Sequence, residues 1–150
     1  RRQYDDAGVF DHPEYQSDLG GFCSPIIIYD PAQPNGRIED KVAQQIDIMP
    51  TVLGMLGYQK PYIGFGIDVL NTPAEETWAV NYLNGIYQYV HYGYVLQFDG
   101  TSTKAIYRLD DRLMKHDLKG RVSEQSQMER ELKAIIQQYM TRMTQNRLMP

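Results

Sequence analysis

The chain has 150 residues, 42% of them hydrophobic, enough for one sizeable core and hence one expected domain. Its single cysteine excludes an internal disulfide and any cysteine-based zinc site. A net charge of −4 gives no electrostatic ground for a nucleic-acid or anionic-membrane partner, and no run approaches the ~20 apolar residues of a membrane span.

The opening residues, Arg1-Arg2-Gln3-Tyr4-Asp5-Asp6, read as mid-protein sequence, so the chain is expected to be a piece of something larger. Residues 1–21 form a loop-like lead in which Asp5 and Asp6, with Asp11, His12 and Glu14 nearby, concentrate hard oxygen ligands. Such a cluster suits a divalent cation, or is simply a solvated acidic loop.

Next comes "FCSPIIIYDP", residues 22–31. Cys23-x-Pro25 invites comparison with the Cys-x-Pro-x-Arg motif of formylglycine sulfatases, but the position of the essential arginine holds Ile27. An aliphatic side chain cannot bind a sulfate, so no catalytic role is assigned to Cys23. The run Ile26-Ile27-Ile28-Tyr29 closed by Asp30-Pro31 predicts instead a strand buried on both faces, with Cys23 a small packed hydrophobe at its edge. A turn-rich loop, residues 31–36, follows.

"QIDIMPTVLGMLG", residues 45–57, reads as a short, buried helix. Pro50 is tolerated in its first turn, Asp47 is placed to accept from the free N–H groups there, and Gly57 supplies the left-handed stop. Residues 22–70 are thus α/β in character. Residues 77–109, "TWAVNYLN", "GIYQYVHYGYVLQFDG" and "TKAIYRLDD", predict antiparallel sheet, with Asp99-Gly100 as a hairpin turn and Gly93 either a tight turn between two strands or a bulge within one. The last segment, residues 123–146, predicts an amphipathic helix. Ser126-x-x-Glu129 fits a capping box, and Met128, Leu132, Ile135, Ile136, Tyr139, Met140 and Met143 recur at helical spacing. That stripe fits docking on the chain's own sheet, or dimerisation if natural neighbours are missing.

Chemistry is thin at this level. His12, His91 and His116 have no metal-ligand spacing, and neither a phosphate-binding glycine loop nor a Gly-x-Ser-x-Gly elbow is present.

The series "SPIIIYDP", then "QQIDIMPTVLGMLGY", then "FGIDVLN" resembles the C-terminal part of the lipoteichoic-acid-synthase-like phosphoglycerol transferases and related sulfatases of the alkaline phosphatase superfamily. The resemblance covers essentially the whole chain and is strongest from Pro25 to Leu70. It implies the C-terminal piece of an alkaline-phosphatase-like fold, α/β to α+β, as a single C-terminal subdomain spanning residues 1–150. It further implies a parent enzyme in which a divalent metal (Mn, Mg or Ca) activates a threonine, serine or formylglycine nucleophile that attacks a sulfate or phosphate ester. The nucleophile is absent from this chain, so no catalytic residue is assigned. Alignment back from His12-Pro13-Glu14-Tyr15 puts Asp5 on the family's metal-binding aspartate and Asp6 where its histidine stands, a departure in charge and reach. The implied partner is the remainder of the parent catalytic domain, with a second copy through exposed apolar faces and no nucleic acid. The implied location is the extracytoplasmic side of a bacterial membrane, in a membrane-anchored parent. The alternative is a non-catalytic binding or dimerisation module.

Overall fold

Alternating Val, Tyr and Ile residues build a four-stranded antiparallel meander: β1 (Ala79–Leu83), β2 (Ile86–His91), β3 (Tyr94–Phe98) and β4 (Thr103–Arg108), in the order β1-β2-β3-β4. The structure, a computed structural model, describes residues 17, 19–31 and 35–149. Turn chemistry sets the register. Asn84-Gly85 and Tyr92-Gly93 both have positive φ at the two central positions, the backbone a two-residue hairpin requires, and they align Leu83 with Ile86 and His91 with Tyr94. Gly93 is therefore a turn rather than a bulge. At the third hairpin the Asp99 carboxylate accepts from Thr101 N and Ser102 N, both at 2.8 Å, and a register shift at Gln97/Phe98 absorbs the extra residue.

Two α-helices, α1 (Ile48–Met55) and α2 (Gln125–Thr144), join the sheet, with short 3-10 turns at Gly20–Phe22, Gln45–Asp47 and Ala74–Glu76, so the fold is mixed α+β. Along α2, Met128 and Leu132 are fully buried among Tyr89, Leu96, Phe98 and Ile106. The opposite face of the sheet, through Ala79, Val90 and Val95, meets Leu19, Val42, Leu109 and Met114. Both faces are covered, which is why the alternation along β2 ends in four consecutive buried residues. The stripe on α2 splits. Its first half docks on the sheet, whereas Tyr139, Met140 and Met143 are exposed.

Three expectations are corrected. Ile26–Tyr29 is neither a strand nor buried: the segment is irregular, and Ile27 and Tyr29 are 87% and 86% exposed. A buried strand needs ladder neighbours on both sides, and the sheet pairs only its own four strands. Cys23 is likewise exposed, its thiol 3.8 Å from Leu19 O. The second correction concerns α1, which is short but not buried. Only Pro50 and Thr51 are buried, and Ile48, Met49, Val52, Met55 and Leu56 face outward. Third, Ser126 lies inside α2, which starts one residue earlier and has no side-chain cap. Glu129 accepts instead from Thr103 Oγ1 at 2.7 Å and Lys133 Nζ at 2.7 Å.

Candidate functional site

Residues 41–72 are organised by polar side chains that reach backbone atoms. Lys41 Nζ donates to the carbonyls of Val69, Leu70 and Thr72 at 3.0, 3.3 and 3.0 Å, closing the turn that they form. Gln44 reaches the edge of β1, its Oε1 accepting from Val80 N and its Nε2 donating to Trp78 O. Asp47, 1% exposed, accepts from Gln44 N at 2.9 Å and from Ile67 N at 2.8 Å. It therefore belongs to the 3-10 turn Gln45–Asp47 that leads into α1 and does not cap α1 itself. Thr51 Oγ1 accepts from Val69 N at 3.1 Å and lies 3.5 Å from Ile67 O. At Gly66 a Cβ would collide with the Ile46 carbonyl, so the Gly66–Asp68 stretch lies flat against the 3-10 turn. The Asp-x-x-Pro-Thr and Gly-x-Asp stretches are thus one interlocked unit. Burial raises the Asp47 carboxyl above its ordinary value, against the lowering effect of its two backbone hydrogen bonds.

A second constellation lies between β2, the β2–β3 turn and α2. A cleft of about 630 Å³ is lined by His91, Tyr92, Trp78, Glu131 and the adjacent Glu75 and Glu76, among others. Glu131 accepts from Tyr89 Oη and Tyr92 Oη, both at 3.0 Å, and from Gln127 Nε2 at 2.9 Å. Burial works to raise the Glu131 carboxyl, but the donors Gln127, Tyr92 and Tyr89, with His91 beyond them, outweigh it and hold the group below its ordinary value. It is an ionised carboxylate held by neutral donors. In turn, burial and the Glu131 carboxylate push both phenols upward. His91 is 6% exposed and stands 2.9 Å through Nδ1 from Thr77 O. A carbonyl can only accept, so Nδ1 is the donor in this contact. Tyr92 adopts φ 51°, costly for an aromatic residue, and its ring lies 3.6 Å from that of His91.

Asp5 and Asp6, the metal candidates from sequence, lie outside the described residues, as do Asp11, His12 and Glu14. Among the described residues no group of three or more His, Cys, Asp or Glu side chains could hold a metal, and no helix is long and apolar enough to cross a membrane. His91 and His116 stay apart in role, the latter paired with Asp111 at 3.2 Å on the surface. Sequence reasoning missed the cleft. Its members come from residues 75–78, 89–92 and 131–135, and only the aromatic density of β2 hinted at it. Comparisons of the chain with protein-family models, with curated proteins and with solved structures find no match.

Proposed function

We propose that the chain is the C-terminal part of a sulfatase or phosphoglycerol transferase of the alkaline phosphatase superfamily, a parent acting on sulfate or phosphate esters. By itself it is inactive, since the nucleophile lies elsewhere in the parent; its contribution is to complete the catalytic domain. The observation that carries this reading is the state of residues 22–70. Their polar motif residues are locked together, while Ile27, Tyr29, Ile38 and the outer face of α1 lie in solvent. A run of exposed aliphatic side chains of this extent marks a surface built to be covered. In the parent, the Cys23–Asp30 segment would add to the main sheet and α1 would pack beside it. The divalent metal, Mn, Mg or Ca, and the extracytoplasmic, membrane-anchored setting come with the resemblance, and Asp5 and Asp6 remain the residues this chain would offer to such a metal.

Extending the coding sequence upstream of Arg1 tests the reading. An in-frame region encoding a Thr, Ser or Cys nucleophile supports it, and Ile27→Asp in that parent should then lower ester cleavage at least about tenfold by loosening the domain. A start codon just before Arg1 overturns it. The second reading, a free-standing binding or dimerisation module, draws on the exposed Tyr139, Met140 and Met143 of α2. Sedimentation of the chain as a dimer that Met140→Glu converts to monomer would favour that reading.

A further inference from the structure

Independently of the parent's chemistry, we propose that Asn35-Gly36 is a site of self-modification, at which Asn35 loses its amide and becomes aspartate and isoaspartate through a cyclic imide. The reaction asks two things of the chain. The asparagine side chain must be free of hydrogen bonds that hold its amide, and the next backbone nitrogen must be able to reach its Cγ. A glycine after the asparagine meets the second need best, because no Cβ shields that nitrogen. The sequence offers this dipeptide twice, at Asn35-Gly36 and Asn84-Gly85, whereas Asn71, Asn81 and Asn146 are followed by Thr72, Tyr82 and Arg147. At both sites the asparagine and the glycine are exposed, and a Cβ added at either glycine would meet nothing within 4 Å. Neither Asn35 nor Asn84 has a side-chain hydrogen bond among the described residues.

What separates the two sites is the backbone. Asn84 and Gly85, at φ 52° and 84°, are the two left-handed positions of the turn that closes β1 on β2, with Leu83 opposite Ile86 and the Tyr82 and Tyr87 rings 4.6 Å apart. Bringing Gly85 N onto Asn84 Cγ requires rotation about the Asn84 Cα–C bond. The turn fixes that bond, so the hairpin has to open first. Asn35 and Gly36 belong to no helix or strand, and neither is in the left-handed region. Rotation there breaks no ladder. The step balances with water alone. Gly36 N gives its proton to hydroxide and bonds to Asn35 Cγ; the Cγ–Nδ2 bond breaks, and Nδ2 takes a proton from water and leaves as ammonia. Water then opens the five-membered imide. Attack at Cγ restores the ordinary main chain with an aspartate, and attack at the main-chain carbonyl carbon routes the chain through Cβ and Cγ as isoaspartate. Either product adds a carboxylate to a chain of net charge −4, close in sequence to Arg37, whose guanidinium is paired with Glu39 at 2.9 Å.

The test is peptide mapping by mass spectrometry of the chain incubated in mildly alkaline buffer, with and without concentrated urea. In the folded chain Asn35 should convert at least about tenfold faster than Asn84, the protection expected of a turn that must first open locally. Both aspartate and isoaspartate should appear at position 35, since only an imide yields the two together. In urea the two rates should converge to within about threefold, because the turn that shields Asn84 is gone. Gly36→Val, for which the site has room, should slow conversion of Asn35 at least about tenfold by crowding the attacking nitrogen, and should leave Asn84 unchanged. Equal rates at the two sites in the folded chain, aspartate without isoaspartate, a difference undiminished in urea, or an unaltered rate in Gly36→Val would overturn the proposal.

Discussion

In the sheet and α2 the core is apolar: Leu96, Ile106, Met128, Leu132 and Val95 have no exposed surface, although Gln88, His91 and Thr103 of the strands are buried with them. In residues 22–70 the arrangement is inverted, with Asp47 and Thr51 buried and Ile27, Tyr29, Ile38 and Leu56 exposed. One region is held by buried apolar area, the other by side chains that satisfy backbone groups at long range, Lys41, Gln44, Asp47 and Thr51. The difference teaches that local order and apolar burial are separable. Hydrogen bonds of this kind give a segment a defined shape, while its apolar surface stays available to another body.

The comparison can be broken most forcefully in the core. Leu132→Ala leaves a cavity under the sheet and should cost about 2–5 kcal/mol in chemical denaturation, unfolding sheet and helix together. Asp47→Ala should cost about 2–3 kcal/mol, because it strands the N–H groups of Gln44 and Ile67 in a buried setting. That loss should be confined to residues 41–72. Gln88, opposite Asn81 and Gln97 in the ladder, carries a buried Oε1 without a partner. Gln88→Leu should therefore raise the unfolding free energy by about 1 kcal/mol, seen as a higher denaturation midpoint, since it removes an unsatisfied acceptor. At the small end, Ile27→Asp should change the stability of this chain by less than about 0.5 kcal/mol, because the side chain it replaces is already in water.

Acid should separate the regions by direction rather than size. The folded-state value of Asp47 is raised above 3.8, so its linked stability is complete below that pH and falls as pH rises through the raised value. Glu129, lowered chiefly by the Lys133 hydrogen bond, and Glu131 run the other way. Their contributions are present above 4.5 and are lost as pH falls through their lowered values. On acidification below about pH 4, NMR signals around Thr103 and Tyr92 should broaden before that of Ile67. The reverse order would contradict the assignment of these charges.

Much of the sheet was legible in the residues. Alternating Val and Tyr, Asp99-Gly100 and the Gly93 interruption mark strands and turns by local chemistry, and the stop at Gly57 follows from its left-handed backbone, φ 63°. Asn84-Gly85 carries an equally strong hairpin signal. The IIIY run failed for a physical reason: a run of β-branched residues reports willingness to be buried in a sheet, and says nothing about whether neighbouring strands exist in the same chain. Ser126 failed because the capping-box pattern also fits an exposed serine inside a helix. Neither the Gln44 contact with β1, spanning 36 residues, nor the Tyr89–Glu131 contact, spanning 42, has any local signature. Both join the meander to segments distant in sequence. The candidate metal residues Asp5 and Asp6 lie outside the described residues.

The most direct measurement of the two-region view is site-resolved hydrogen exchange on the chain and on its Asp47→Ala variant. Protection should collapse at Ile67 and Val69 while β2, β3 and the first half of α2 keep the exchange rates of the parent sequence. Loss of protection across the sheet in the same step, or unchanged protection at Ile67 and Val69, would contradict the view that residues 41–72 are held by their own polar latches.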